Sequence, residues 1–417
     1  MTLFKGSGGI PSRSASGAAT ALTHVLASIA DLAEGHRLGH GRRIAWLALK
    51  LAPLCGIEPS EFEALYYAGL LHDVGELWVS SEVFHRAGPA SRSESIGVRE
   101  HPVTGAEFLA RFAPLPAGVA ELVRWHHEWW DGTGYPDQLH WTQIPPAAQV
   151  LRLADTFVSS LSDRPNRRCL PPEDAFGEII SGAGRELGPQ FCRMFALLFQ
   201  SDAEVAQLAD KQNDLGTKPG VMYALERATP DDVEQLMLAI ADCADARHPV
   251  LAGHSRRTGN LAARIAERAG WEPTEIDRAR LLGYVHDIGM AAIPSGIIAK
   301  TDRLTSLERA AMQRHVLYGA EILRNIPELE EYADEARHHH ERVDGSGYPD
   351  ALAGPAIPLL ARLVAVCDAY DALTTGRPYR TTLDSDAALA RIERDAGYAF
   401  DPTLVQALAS SLPATTI

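Results

Sequence analysis

The hydrophobic residues of this chain recur at intervals of three and four positions, which is the spacing of one helix face. HSRRTGNLAARIAERAG (254–270) and AEFLARF (106–112) show the pattern, and clusters of Gly or Pro end such segments. A Thr followed by acidic residues, as in TPDD (229–232) and TSLE (305–308), is typical of a helix start. Alternation of the kind that strands show is scarce. The pattern therefore predicts an all-α fold.

The chain also repeats itself, and a repeat decides domain organisation. Histidines and aspartates of the first half recur in the second half at an offset of 214 or 213 residues. The first set is His40, His72, Asp73, His101, His126, His127 and Asp155, and the second set is His254, His286, Asp287, His315, His339, His340 and Asp368. Flanking words match in the same register, such as LLHDVG with YVHDIG and HHEWWDGTGYPD with HHERVDGSGYPD. The two halves therefore indicate a duplication.

Two tandem helical bundles also agree with the length of 417 residues. We expect a flexible tail over residues 1–18, the first copy over 19–200, a linker over 201–231 and the second copy over 232–417. The tail is rich in Gly and Ser, and the linker is polar and interrupted by Gly and Pro.

Composition narrows the classes of function. The 39 Lys and Arg against 54 Asp and Glu give a formal net charge of −15, which argues against nucleic-acid binding. The five cysteines lack CxxC spacing, so neither a disulfide framework nor a zinc-thiolate site is indicated, and a reducing cytoplasm is expected. The sequence has no apolar run of about 18 residues and no apolar signal core at the N-terminus, so neither a membrane span nor secretion is predicted.

Each copy carries seven imidazole and carboxylate groups, which are ligands that manganese, iron and magnesium accept. Two such ions a few ångströms apart can hold both oxygens of an in-line phosphoryl displacement. In the adjacent pair His286-Asp287, the two carboxylate oxygens can bridge two ions. A single histidine more often packs or caps a helix, but ten of the sixteen histidines stand at corresponding positions of the copies. The sequence therefore predicts two divalent metal ions per active copy.

The motifs resemble the HD-GYP branch of the HD phosphohydrolases. The resemblance lies in the HD pair, the string HHExxDGxGYP and the Asp within VCDAYDAL, with GRPYR and FDP in the second copy, and it covers nearly all of the chain twice. It implies an iron or manganese centre that hydrolyses cyclic di-GMP to the linear dinucleotide or to GMP, with a metal-bridged hydroxide attacking phosphorus. It also implies that both sets are metal ligands, that Asp287 bridges, and that His286 and Asp287 are catalytic.

The same resemblance implies contacts to substrate and to a diguanylate cyclase domain, and an oligomer is compatible with it. The substrate contacts it implies are Lys300, Gly345, Gly347, Tyr348, Pro349, Arg377, Tyr379 and Arg380. For the GYP segment, a purely structural turn is the alternative. Four tryptophans of the first copy suit either packing or stacking on a guanine, namely Trp125, Trp129, Trp130 and Trp141.

The chain departs from the family pattern at a few positions. The lysine of the HDIGK motif, which faces the phosphate, is replaced by Glu76 and Met290. Members with three metals carry a glutamate four residues before the first histidine, where this chain has His36 and Val250. Two ions are therefore expected in the second copy, whereas His36, one turn before His40, is either an extra ligand or a surface histidine. In the first copy DRPNR replaces GRPYR and Val158 stands opposite Asp371, which favours the second copy as the main catalytic domain.

Three functions are therefore open. The first is a cyclic di-GMP phosphodiesterase. The second is a non-catalytic, metal-containing module that binds a cyclic dinucleotide or a diguanylate cyclase. The third is a phosphohydrolase for another cyclic nucleotide, such as cyclic GMP-AMP.

Overall fold

The structure is a computed structural model, and it describes residues 15–33, 38–79, 92–111, 115–162, 168–206, 208, 229–246, 251–326, 329–375 and 382–412. These residues are α-helical with short 3₁₀ turns, and the described part contains no β-strand, only two isolated bridges. The prediction of an all-α fold is therefore confirmed. None of the helices in the described ranges combines the length and apolar character needed to cross a membrane.

The chain divides into two compact units. The first comprises 26–228 and the second comprises 1–25 with 229–417, and α1 (Ala15–Ala33) runs across that division. The other helices of the first unit are α2 (His40–Leu51), α3 (Phe62–Leu71), α4 (Arg92–Leu109), α5 (Val119–Trp125), α6 (Pro146–Ser160), α7 (Pro172–Ser181), α8 (Pro189–Ser201) and α9 (Ala203–Ala206). Short 3₁₀ turns cover Pro59–Glu61, Val74–Trp78 and Trp141–Gln143.

The second unit is likewise built from helices and short 3₁₀ turns. Its helices are α10 (Pro230–Asp245), α11 (His254–Arg268), α12 (Pro273–Val285), α13 (Ser295–Ile298), α14 (Ser306–Gln313), α15 (His315–Arg324), α16 (Ala333–Arg337), α17 (Leu359–Thr374), α18 (Ser385–Arg394) and α19 (Pro402–Ser411). Its 3₁₀ turns are Ile288–Ala292, Glu330–Tyr332 and Gly354–Ala356. The predicted linker lies mostly outside the described residues.

Helix starts follow the sequence signals. Thr229 accepts a hydrogen bond from the amide of Asp232 at the start of α10, and Thr305 accepts one from the amide of Glu308 at the start of α14. In both turns the acidic side chain reaches back to the backbone of the threonine, which completes a capping box. Both predicted helix starts are therefore confirmed.

A glycine permits the close approach that brings distant ligands together. The turn Ile288–Ala292 passes so near the first residue of α15 that a Cβ at Gly289 would lie 2.0 Å from the carbonyl oxygen of His315. The first unit has the same contact, since a Cβ at Gly75 would lie 2.0 Å from the carbonyl oxygen of His101. Only a residue without a side chain fits there, so each HD motif packs directly against the helix that carries the next histidine.

Candidate metal centres

In the second copy the predicted ligands lie mostly at helix ends. His254 is the first residue of α11 and His315 is the first residue of α15. His286 directly follows α12, and His339 lies two residues beyond α16. Asp368 is in the middle of α17. The structure thus brings together side chains that lie in, or shortly after, five helices of one unit.

The carboxylate of Asp287 lies at the centre of this cluster. Its Oδ1 is 3.2 Å from Nε2 of His315 and 3.5 Å from Nε2 of His339. Its Oδ2 is 3.6 Å from Nε2 of His286 and 3.8 Å from Nε2 of His254. Each oxygen therefore faces a different pair of imidazoles, which is the arrangement that a carboxylate bridging two ions needs.

A second carboxylate, that of Asp368, lies near histidines on both sides of Asp287. Oδ1 of Asp368 lies 3.4 Å from Nε2 of His254, and Oδ2 lies 4.0 Å from Nδ1 of His340. Asp368 is therefore placed to contribute an oxygen on each side of the cluster.

Backbone carbonyls fix which nitrogen faces the centre. Nδ1 of His286, His315 and His339 lies 2.6–2.8 Å from the carbonyl oxygen three residues earlier in the chain. A carbonyl only accepts, so each Nδ1 carries the proton and each Nε2 keeps a lone pair for the centre of the cluster. Such hydrogen bonds orient metal-binding histidines in general.

The electrostatics fit a site for cations. Burial alone would raise the pKa of Asp287, but the surrounding imidazoles hold it well below its usual value. Burial lowers the pKa of His286 to about 4. The cluster thus contains an ionised carboxylate beside a neutral imidazole, and both are in the state that binds metal.

A carboxylate that sequence reasoning did not assign holds the remaining histidine. Nδ1 of His254 donates to Oδ2 of Asp371 at 2.7 Å, and Arg257 binds the same carboxylate through Nε at 2.5 Å and Nη2 at 3.0 Å. Burial would lower the pKa of His254, yet the hydrogen bond to Asp371 and the charge of Asp368 raise it to about 9. Asp371 is a positioning residue for His254, and its only sequence signal was its replacement by Val158 in the first copy.

A buried aspartate before each first histidine was also missed. Asp31 accepts hydrogen bonds from the amides of Gly39, His40 and Gly41 at 2.7–3.0 Å. Asp245 accepts from the amide of Ser255 at 3.1 Å and from its hydroxyl at 2.7 Å. The two aspartates are themselves 214 residues apart, so the repeat offset could have found them.

The first copy has the same central arrangement. Asp73 Oδ1 lies 3.1 Å from Nε2 of His101 and 3.4 Å from Nε2 of His126, while Oδ2 lies 2.9 Å from Nε2 of His72. Nδ1 of the same three histidines faces a backbone carbonyl at 2.6–3.1 Å. Asp155 Oδ1 is more distant, 3.8 Å from Nε2 of His72.

One contact has no counterpart in the second copy. The guanidinium of Arg152 lies 3.0 Å from Nδ1 of His127 and 3.3 Å from Oδ2 of Asp155. The corresponding residue of the second copy is Ala365.

Among the residues that the structure describes, four groups of donors could each hold a metal ion, with ligand atoms within 4.8 Å of one another. They are Asp73, His101, His126 and His127; His40, His72 and Asp73; Asp287, His315, His339 and His340; and His254, His286 and Asp287. Asp73 and Asp287 each belong to two groups. Three buried atoms of the second copy, Nε2 of His254, Nε2 of His286 and Oδ1 of Asp287, make no hydrogen bond to other described residues, as expected of metal ligands. The donors present therefore fit a pair of divalent ions.

The GYP segment is a turn beside this cluster. Gly345 has φ +77°, and a Cβ at Gly347 would lie 2.4 Å from the amide nitrogen of Arg342. Glu341 holds the turn by accepting from the amides of Asp350 and Leu352. The structural explanation thus accounts for both glycines. The ring of Tyr348, which precedes the cis bond to Pro349, stacks on His340 with centroids 5.0 Å apart.

Of the remaining predicted substrate contacts, only Lys300 lies within the described residues. Lys300 pairs with the carboxylate of Glu308 at 2.6 Å. Met290 is buried in an apolar cluster with Leu251, Ile293 and Ile298. In the first copy Glu76 is buried, with Oε1 3.6 Å from Nδ1 of His101. Arg377, Tyr379 and Arg380, like His36 and Val250, lie outside the described residues.

The surroundings of three first-copy tryptophans bear on whether these residues pack or stack on a base. Trp125 donates its indole N–H to Asp137 at 2.9 Å, and the ring of Trp129 lies under the guanidinium of Arg185. Trp141 is 58% exposed. The first two contacts favour packing over base stacking for Trp125 and Trp129.

Comparison with known proteins adds a family and several relatives. Residues 24–191 and 239–404 each match the HD domain family. The chain is 28% identical to 3′3′-cGAMP-specific phosphodiesterase 3 of Vibrio cholerae over 73% of this chain and 65% of the relative. It is 26% identical to 3′3′-cGAMP-specific phosphodiesterase 1 of the same organism over 83% and 80%.

A third relative is the cyclic di-GMP phosphodiesterase response regulator RpfG of Xanthomonas campestris, at 34% identity over 54% of this chain and 58% of the relative. The fold is that of a cyclic GMP-AMP-specific phosphodiesterase crystal structure from V. cholerae, with a TM-score of 0.66, 23% identity and coverage of 94% and 98%. These matches confirm the resemblance inferred from the motifs.

Proposed function

This chain belongs to the HD domain family, and from that premise we propose that it is a metal-dependent phosphodiesterase that hydrolyses a cyclic dinucleotide. One observation carries the proposal: in the second copy, imidazoles from two sides face the two oxygens of a single, partly buried carboxylate, Asp287. A pair of ions held this way suits in-line displacement at phosphorus.

We propose the following ligand sets for the second copy. His254, His286 and Asp287 would hold one ion, and Asp287, His315, His339 and His340 would hold the other, with Asp368 as a further ligand. Nitrogen and oxygen donors without thiolate accept iron and manganese, which are the ions that the family resemblance implies. The bound ions would lower the pKa of a water molecule and neutralise charge that develops on the phosphoryl oxygens.

The protein residues prepare this centre. The carbonyl of Gly283 holds the proton on Nδ1 of His286, and Asp371 holds the proton on Nδ1 of His254, so that both Nε2 atoms face inward. Burial raises the pKa of Tyr348, which keeps its phenol protonated and able to donate to a substrate oxygen next to His340. We propose that Tyr348 and the turn at Gly345–Gly347 bound the substrate side of the site, and that this turn contacts a diguanylate cyclase partner.

Cyclic di-GMP is the substrate that we propose first, because the chain carries the motifs of that branch and resembles relatives with this activity. Cyclic GMP-AMP is the second candidate. A specific observation favours it: the relatives that align over 73% and 83% of the chain are both named for that substrate.

The test uses the full-length chain, loaded anaerobically with Fe²⁺ or Mn²⁺ and given cyclic di-GMP or cyclic GMP-AMP. We expect metal-dependent release of linear dinucleotide or GMP. The double variant H286A/D287A should lose at least about 100-fold in turnover, since it removes the central charge stabilisation. The equivalent variant of the first copy, H72A/D73A, should keep most of the activity.

The matched control is His338→Trp. His338 adjoins His339 but binds Asp350 at 2.9 Å, outside the cluster, and the first copy carries Trp125 at this position. This variant should keep its activity. Full turnover in H286A/D287A would refute the proposal, and tight nucleotide binding without turnover in the loaded wild type would instead select a non-catalytic module.

A further inference from the structure

The two copies differ in the helix that faces the last histidine of each ligand set. This helix is α6, facing His127, in the first copy and α17, facing His340, in the second. In the first copy α6 carries Arg152, three residues before Asp155. Arg152 also contacts Oε2 of Glu186 through Nη2 at 3.4 Å. The corresponding residues of the second copy are Ala365 and Ala399. An arginine and glutamate pair in one copy thus stands where the other copy has two alanines.

The guanidinium of Arg152 occupies the space between two predicted metal ligands. Nη1 lies 3.0 Å from Nδ1 of His127 and 3.3 Å from Oδ2 of Asp155, and the side chain is only 13% exposed. In the second copy the same two ligand atoms, Nδ1 of His340 and Oδ2 of Asp368, face each other at 4.0 Å. The arginine therefore reaches the atoms that would face an ion.

The hydrogen bond also decides the tautomer of His127. A guanidinium has donors only, so Nδ1 of His127 accepts and the proton of the neutral ring lies on Nε2. Neither nitrogen then has a lone pair for a metal. The opposite holds for His72, His101 and His126, whose Nδ1 atoms donate to carbonyls.

We propose that Arg152 takes the place of one metal ion in the first copy, between His127 and Asp155. The first copy then binds one ion tightly, at His40, His72 and Asp73, whereas the second copy binds two. The fixed positive charge repels a second cation, and the loss of His127 and of one Asp155 oxygen removes ligands from it. This inference rests on the metal centres of the proposed function but does not require turnover.

The experiment counts metal ions on the folded, full-length chain. Mn²⁺ is titrated anaerobically by calorimetry, and bound manganese is measured after removal of free metal. We expect about three Mn²⁺ per wild-type chain, about four for Arg152→Ala, which carries the residue of the second copy, and about two for the reciprocal Ala365→Arg. The matched control is Arg185→Ala, because Arg185 also pairs with Glu186 but is 64% exposed. It should bind as many ions as the wild type.

Each outcome decides the inference. Four tightly bound ions in the wild type would overturn it, and so would an unchanged count in a folded Arg152→Ala protein. Should Arg152→Ala fail to fold, as judged by its melting curve, the count for Ala365→Arg decides: loss of one ion supports the inference and no loss overturns it. A wild type that binds no ions would refute the proposed function itself.

Discussion

At the candidate centre, single side chains decide which imidazole nitrogen of a histidine is available to a metal ion. The clearest case is Asp371, which holds the Nδ1 proton of His254 from 117 residues away and is itself held by Arg257. Carboxylates in this position set the orientation and basicity of metal-binding imidazoles. Asp371 therefore belongs to the metal centre although it is not one of the predicted ligands.

We expect Asp371→Ala to weaken metal binding by the second copy about 10- to 100-fold, because His254 loses its fixed orientation. Calorimetric titration with Mn²⁺ measures this. Asp384→Ala is the control, since it removes a helix-capping carboxylate from α18 without touching the centre. Equal metal affinities in the two variants would contradict the assignment.

Asp245 gives a prediction about pH. Burial raises its pKa to about 7, against 3.8 for the free side chain. The folded protein therefore holds this proton between about pH 4 and 7 when the unfolded chain does not, so the group's contribution to stability is lost as the pH rises through that range. Asp245→Asn does not titrate. As the pH rises from 4 to 8, the free energy of unfolding of Asp245→Asn should therefore increase relative to that of the wild type by a few kcal/mol.

Urea unfolding at several pH values, with a chelator present for both proteins, measures this difference. Parallel pH profiles for the two proteins would show that burial does not perturb Asp245.

At the scale of elements, the structure depends on close contacts that only glycine allows. The turn Ile288–Ala292 carries the chain from α12 past the start of α15, and Gly289 is its contact point. The first copy repeats this contact at Gly75. The distance between the HD motif and the next histidine is therefore set by backbone packing.

Gly289→Ala should destabilise the protein by about 1–3 kcal/mol through overpacking and should weaken metal binding. Gly177→Ala is the matched control. Gly177 lies inside α7, is exposed, and a Cβ there would meet nothing within 4 Å. Gly177→Ala should stabilise the protein by about 0.5–1 kcal/mol, because alanine has a higher helix propensity than glycine. Denaturant unfolding compares them, and similar effects of the two substitutions would contradict the packing argument.

The sequence predicted the helices and named the histidines and aspartates that the structure brings together, because periodicity and an internal repeat can be read along one chain. It did not predict the partners of His254 and His127. Asp371 and Arg152 come from helices far along the chain, and spacing alone says nothing of which side chains meet. Helix ends were predicted best where a capping threonine marked them, as at Thr229 and Thr305.

At the scale of the whole molecule, the duplication produced two similar frames with different chemistry. The ligand histidines are kept in both copies, whereas their supporting residues differ: Asp371 against Val158, Ala365 against Arg152, and Met290 against Glu76. The two copies therefore share the histidines of the ligand sets but differ in the charged and polar side chains around them.

Metal removal should reveal this difference in stability. A ligand present at about 100 times its dissociation constant stabilises a folded protein by about 2.7 kcal/mol. We expect saturating Mn²⁺ to raise the melting temperature of the wild type and a chelator to reverse the rise. H286A/D287A should lose more of this rise than H72A/D73A, and equal losses would contradict an uneven distribution of metal between the copies.

The position of the ligands at helix ends has one more consequence. Helix ends fray first, and here the ends of α11, α12, α15 and α16 carry or adjoin the histidines that would be joined by metal. Metal loading should therefore slow the hydrogen–deuterium exchange of backbone amides in these four short stretches and leave the helix middles unchanged. The occupancy of the second-copy centre could then be followed peptide by peptide, in a protein whose substrate had not been supplied.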